Sequence, residues 1–493
     1  MAIKGISSYG SGAYISRLNA QLSDLHVQLA TGKKSQTYGH MGNNRNIALR
    51  MRADIQNYRN YNQVIDRANI HLGSLQNVLT SLRDIQSNAR ADFNGTAMAL
   101  HDGSFRQVKI GAEQRLGDII SLMNEKIAGR YLFSGANLDS KPVEDMDKIL
   151  NGEGPKAGLK QYISERKLAD LGSLNNGRLT TGLVGNQVDL TEDGVHNFGL
   201  KLKNITQNIT GVSTTGPGGA PATLGVDFTG ALPVVDDEIV IQVSLPDGVD
   251  VNITIKAKTN GVSDKDGFVI GGSDADNAAN FKAALDDALA FLANGEMMAG
   301  SAVQAGEEFF GEPPLRVDGP PFATATAMKT GTDADTMSWY NGDKTPGAAR
   351  DSYKIFASKN STLSVGVRAD EEPLRDFMKN MAIMVAETFD PNSAESNAHY
   401  GALKTRLTGG LSASTSKVGI LDLSTELGYK EKHLDNLSVR NASRVYMSEN
   451  VLSDIEESDT YEVSAQLMAL NTQLEISYKT TSMLSQVHLV NFM

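Results

Sequence analysis

All 13 prolines of this 493-residue chain lie between Pro142 and Pro391. Proline removes a backbone donor and clashes with the preceding turn, so it breaks helix interiors. The first 141 residues and the last 102 contain none, and both stretches carry apolar residues at helical spacing. The pattern predicts long helices at both ends around an irregular middle, with the ends free to meet as a bundle.

The length implies several domains, and a hydrophobic content of 40% permits real cores. The absence of cysteine excludes disulfides, thiolate metal sites and a cysteine nucleophile. No apolar run approaches the roughly 18 residues that cross a bilayer, so no membrane partner is expected. The opening MAIKGISSYG lacks the basic region, apolar core and cleavage site of a secretory signal. Net charge is −12 but uneven. Residues 1–141 hold 17 Lys/Arg against 10 Asp/Glu, residues 142–391 hold 21 against 36, and residues 392–493 hold 8 against 12. Phosphate contact needs a basic surface, so nucleic acid is not an expected partner. The acidic middle reads as a solvated outer face.

Near the start, Ile15, Leu18, Leu22, Leu25 and Leu29 repeat at alternating three- and four-residue steps, a narrow seam of the kind helices use when they pair. Thr31-Gly32 is a stop, and a Gly/Asn-rich connector follows over residues 39–46. A longer pattern runs through Tyr61, Ile65, Ala68, Leu72, Leu75, Leu79 and Leu82, and a third helix is expected over residues 104–128. At the other end Leu434, Val445, Leu452 and Ile455 lie on one seam, and Val463, Leu467, Leu470 and Leu474 on another. Ile455 and Val463 are eight residues apart, one more than a heptad, which marks a joint between two helical layers. An isolated amphipathic helix is marginal in water, so each seam needs a partner. Heptads alone leave open whether that partner lies within the chain or in another copy.

In the middle, the motif Ile149-Leu150-Asn151-Gly152 precedes a helix expected over 157–171. Glu238–Leu245 and Val249–Ala257 alternate apolar and polar residues around Pro246-Asp247-Gly248, which predicts a hairpin. Residues 276–294 read as a helix with Phe281, Leu285, Leu289 and Leu292 on one face. Gly311–Gly331, with two Pro-Pro pairs, reads as a loop.

Catalytic signatures are lacking. The eight histidines are scattered, and HExxH is missing. Gly32-Lys33-Lys34-Ser35 has Val27 where a phosphate loop requires its first glycine, and Gly10-Ser11-Gly12 lacks the third glycine of a dinucleotide site. Asp236-Asp237-Glu238 reads as an acidic strand edge that discourages aggregation. No catalytic, cofactor-binding or metal-ligating residue is expected, and no cofactor.

The fold expected is mainly α: a long coiled-coil-like helical hairpin formed by both chain ends, with an inserted α+β outer domain. Residues 1–40 and 456–493 would be terminal core helices, 41–172 and 336–455 an inner helical bundle, and 173–335 a variable, surface-exposed α+β domain.

Leu29-Ala30-Thr31-Gly32-Lys33-Lys34, after a leucine heptad and before a helix containing Ala53-Asp54-Ile55, resembles the N-terminal signature of bacterial flagellins. Leu82-Arg83-Asp84-Ile85 looks like part of the family's second helix. The run Leu467 to Met493, with Leu474-Glu475-Ile476-Ser477-Tyr478 and Leu484 through Phe492, is similar to the family's terminal helix. The resemblance covers about 140 residues at the start and about 130 at the end. It implies a structural, non-enzymatic subunit that polymerises into the flagellar filament for swimming motility. The implied location is extracellular, after unfolded export through the flagellar channel without a cleaved signal peptide. The implied partners are further copies of the chain, the export apparatus with its chaperone, and the hook-associated and cap proteins. The assembly residues would be Ile15, Leu18, Leu22, Leu25, Leu29, Leu72, Leu75, Leu79, Leu82, Leu452, Ile455, Val463, Leu467, Leu470 and Leu474.

The hook–filament junction protein of the same family shares these ends. Arg130-Tyr131-Leu132-Phe133-Ser134-Gly135 with Lys141-Pro142-Val143 resembles its pattern, as do Trp339-Tyr340-Asn341-Gly342-Asp343 and Val365-Gly366-Val367-Arg368. The terminal LVNFM departs from the usual filament ending. A remoter reading is a secreted surface adhesin or enzyme on a helical stalk.

Overall fold

The structure is a computed structural model and describes residues 8–95, 100, 104–412 and 417–490. His101 and the terminal Asn491-Phe492-Met493 lie outside the described residues, as do the side chains of Leu484, Ser485 and residues 487–490.

The chain is mainly α with several small sheets. It opens with α1 (Ser8–Thr31), α2 (Asn44–Asn94) and α3 (Ser104–Met123), followed by β1 (Lys126–Ile127) and β2 (Arg130–Tyr131). Then come α4 (Met146–Asn151), α5 (Leu159–Leu171), β3 (Leu179–Val184), β4 (Gln187–Glu192) and β5 (Lys201–Gln207). β6 (Ser213–Gly218), β7 (Thr223–Asp227), β8 (Glu238–Ser244), β9 (Asp250–Lys258) and β10 (Gly267–Val269) lead to α6 (Asp274–Asn294) and α7 (Glu296–Phe310). Short strands β11 (Leu315–Val317), β12 (Met328–Thr330), β13 (Lys354–Ser358) and β14 (Ser361–Ser364) precede α8 (Glu372–Ala386), α9 (Ala394–Gly410), α10 (Ile420–Glu456) and α11 (Thr460–Val490).

Contacts group the chain into two compact units, whereas the three-part division drawn from the sequence rests on composition and heptads. One unit holds the residues up to Ile70, Ile355–Leu363 and those from Lys430 onward; the other holds His71–Lys354 and Ser364–Tyr429. In the first, α2 and α10 are tied by Arg59–Glu449 at 2.6 Å and by Asn69 Nδ2 donating to Asp435 Oδ1 at 2.7 Å. Buried Asn441 of α10 donates to the Ala357 carbonyl of β13 at 3.2 Å, which seats that hairpin on the helix.

In the second unit β3-β4-β7-β6 and β10-β9-β8-β5 are the two four-stranded sheets. Their inward residues, among them Leu190, Val226, Ile239, Ile241 and Ile255, share one core with Phe281, Leu285 and Leu289 of α6, and Leu292 packs against it partly buried. Phe228, Phe268 and Phe281 meet at its centre with ring centroids 5.4–5.9 Å apart. Ser273 caps α6 by accepting from the Asp276 amide. The hairpin read from residues 238–257 is present, in register from Glu238 opposite Lys256 to Ser244 opposite Asp250.

Two sequence expectations differ. The helix expected to reach residue 128 stops at Met123, because Ala128 (φ 50°) and Gly129 (φ 82°) form a two-residue turn that pairs β1 with β2. The Gly311–Gly331 loop contains a paired ribbon, β11 with β12. Its three-residue strands are too short for alternation to announce them.

Helix α5 buries three charged residues, Glu165, Arg166 and Asp170, beside Leu159, Tyr162, Ile163 and Ala169, and its charges are paired. Glu165 meets Arg316 at 2.6 Å, Arg166 meets Asp170 and Glu308, and Lys167 meets Glu387 at 2.6 Å.

Candidate assembly surface

The terminal seams come together in the first unit, where α1 packs on α11. Gln473 Nε2 donates to Tyr14 Oη at 2.7 Å, and Asn19 Nδ2 to Tyr478 Oη at 3.4 Å. Leu18 of α1 and Val463 and Leu474 of α11 are buried; Ile15, Leu22, Leu25, Leu467 and Leu470 are half-buried. Leu29 stays 38% exposed, although it lies on the same stripe. Leu452 and Ile455, half-buried near the end of α10, belong to the same unit. Leu72, Leu75, Leu79 and Leu82 are fully buried in the second unit, where the chain itself already covers them.

The joint expected between Ile455 and Val463 is a real break. α10 ends at Glu456 and α11 begins at Thr460, with Asp459 Oδ1 accepting from the Tyr461 amide at 2.9 Å.

One face was not anticipated. Tyr461, Met468, Ile476 and Met483 recur at seven, eight and seven residues on the side of α11 opposite Val463, Leu467, Leu470 and Leu474. All four are exposed, Tyr461 at 88% and Met468 at 71%. Their spacing was present in the sequence, but a second stripe on the same helix is concealed when one seam is followed at a time. Helix α11 therefore carries large apolar side chains on two opposite sides, of which α1 covers one, while Thr472 and the Lys479–Glu475 ion pair interrupt the other. Large exposed side chains at this spacing offer a neighbour separate points of contact rather than one continuous apolar patch.

The second unit assembles three segments that are remote in sequence. Ala369 N donates to Phe133 O at 2.9 Å and Gly135 N to Val367 O at 3.3 Å, with Ser134 bridged to Arg368. Asp343 N donates to Ser134 O at 2.9 Å, Asn341 N to Pro142 O at 2.8 Å and Glu144 N to Trp339 O at 3.0 Å. The segment holding Phe133–Gly135 and Pro142–Glu144, the segment Trp339–Asp343 and the segment Val367–Ala369 thus form one clasp. Gly135 has φ +66°, and a Cβ there would lie 2.9 Å from Asp343 Cβ. Gly135→Ala should therefore destabilise the second unit by about 1–3 kcal/mol, as read from its urea midpoint; an unchanged midpoint would show that the clasp is slack.

Among the described residues, no group of three His, Cys, Asp or Glu could hold a metal ion, and no helix is long and apolar enough to cross a membrane. Burial pushes His399 down to about 2, helped by Lys167 and Arg406, so it is neutral at physiological pH. Burial also lowers His71, and burial with Arg178 and Lys201 lowers His196. Each of these rings lies against another aromatic ring: His71 beside Tyr353, His196 beside Phe198 and His399 beside Phe389.

No protein-family model matches the chain, and no curated protein matches it.

Proposed function

We propose that the chain is a structural subunit that polymerises into the bacterial flagellar filament, using its N- and C-terminal helices as the packing surface. In this reading α1 and α11 are the two arms of a long coiled-coil-like hairpin, and the β-rich part of the second unit faces solvent. The observation that carries the proposal is the second row of large apolar side chains on α11, at Tyr461, Met468, Ile476 and Met483, opposite the face that α1 covers. A further copy of the chain is its expected occupant, because the resemblance of both ends to flagellins makes self-association the family's mode of use.

Magnitudes favour a polymer over a simple dimer. Burying each of the four side chains contributes about 1.5–3 kcal/mol, hence roughly 6–12 kcal/mol together. That is comparable with the roughly 4–15 kcal/mol that association costs. One such contact is marginal, whereas a subunit adding to an existing lattice makes several at once. Head-to-tail contacts that do not close build filaments.

The reading carries with it an extracellular location and export without a cleaved signal. It also brings the export apparatus and chaperone, and the hook-associated and cap proteins, as partners; neither catalysis, nucleic acid nor membrane has a part. The clasp supports a second reading within the same family, the hook–filament junction protein, because the three segments resembling that protein are the ones joined there. Incubating the purified chain with sheared filament seeds from its own cell, imaged by electron microscopy, separates the two. Long growth is the expected result. Binding confined to hook ends would replace the filament reading with the junction protein.

A further inference from the structure

Helices leave their last carbonyls without intrahelical donors. At the end of α10, two such carbonyls are supplied from the other end of the chain. The Lys34 amide donates to Glu456 O at 2.8 Å, and the Lys34 ammonium donates to Asp454 O at 2.6 Å, across 420 positions of sequence. An ammonium at a helix C-terminus also complements the helix dipole. The exchange is reciprocal. Just past the end of α1, Gly32 sits at φ +66° with its amide bonded to Gln28 O, and its carbonyl accepts from the Ser458 amide at 2.8 Å. Lys33 and Glu457 form the antiparallel bridge between these two bonds. Arg52 grips the buried Glu456 carboxylate with two bonds, at 3.1 and 2.6 Å, which holds the α10 side of the stitch in place.

We infer that the ends of α1 and α10 cap each other through Lys34 and Ser458, so that the two helix breaks open and close as one coupled joint. Neither stop is fully hydrogen-bonded unless the other is in position. Where the filament reading holds, on which this consequence rests, the joint makes docking of the two chain ends a single event: a subunit presents both terminal helices or neither.

The test is crossed amide exchange in the full-length, unpolymerised chain. Lys34→Pro removes donors on the N-terminal side, and should speed exchange of the Glu457 amide, which is bonded to Ser453 O. Ser458→Pro removes a donor on the C-terminal side, and should speed exchange of the Gly32 amide. Each crossed effect should be about fivefold or more, the value of one net hydrogen bond. Lys34→Met keeps the backbone donor and loses only the ammonium. It should give a smaller effect of the same sign at Glu457, and decides the matter if the proline variants unfold the first unit. Changes confined to the mutated side in every variant would overturn the coupling. Crossed exchange without seeded growth would instead overturn the filament reading and leave the joint standing.

Discussion

Leu474→Asp is expected to abolish elongation of filament seeds while leaving the unfolding midpoint of the second unit unchanged. Leu474 is 5% exposed on the covered face of α11, and Leu18 of α1 is 4% exposed. A carboxylate at position 474 must lose hydration in an apolar seam without a cationic partner, which costs several kcal/mol. Pairing of α1 with α11 should fail, and with it the assembly surface. Met468→Asp is the companion variant. It lies on the bare face, so α1 and α11 should stay paired, as read by amide protection of α1, yet growth should still stop. Loss of growth in both, with pairing lost only in Leu474→Asp, would assign one face of α11 to the subunit and the other to its neighbour. Normal filaments from Met468→Asp would remove the bare face from assembly.

Arg166→Met should destabilise the second unit by about 3–5 kcal/mol at pH 8, and by distinctly less at pH 5. The reason is an imbalance of buried charge. One guanidinium serves two carboxylates, Asp170 at 2.8 Å and Glu308, and all three side chains are buried. Burial opposes the Arg166 charge, but the two carboxylates outweigh it and hold its pKa above the ordinary value. Burial likewise dominates at Glu308, pushing its carboxyl up to about 7 against the pull of Arg166. A folded carboxyl that keeps its proton to about 7, while the unfolded one releases it near the ordinary 4.5, favours the folded state in acid. Its contribution is complete below about 4.5 and is lost as pH rises through about 7. Glu308→Gln should therefore flatten the stability profile across that window. Without Arg166, acid still neutralises Glu308, so one buried carboxylate fewer is left without its cation, which is why the loss shrinks at pH 5. Urea unfolding at the two pH values checks both variants; equal losses for Arg166→Met at pH 5 and pH 8 would contradict the charge argument.

Much of the helical framework was legible in the sequence, because its signals act over a few residues. The leucine seam ending at Thr31-Gly32 is α1, and Gly32 adopts the left-handed φ that closes it. The eight-residue step between Ile455 and Val463 falls on the gap between α10 and α11. Asp247-Gly248 turns the β8–β9 hairpin, and Phe281, Leu285 and Leu289 face the core from α6. The candidate surface was half legible: the stripe through Val463 and Leu474 was found, and the one through Met468 was not.

The spacing of apolar residues and the places where proline and glycine interrupt it determined where the long helices lie and which residues α1 turns toward α11. Those preferences are local, set by turn sterics and a 3.6-residue period. Only the tertiary structure decided that Phe133–Gly135, Trp339–Asp343 and Val367–Ala369 share one clasp, that a charged helix such as α5 could be buried, and that Lys34 caps a helix on the other side of the chain. Each depends on a backbone group or a charge finding a partner more than a hundred residues away, and no periodicity encodes that distance.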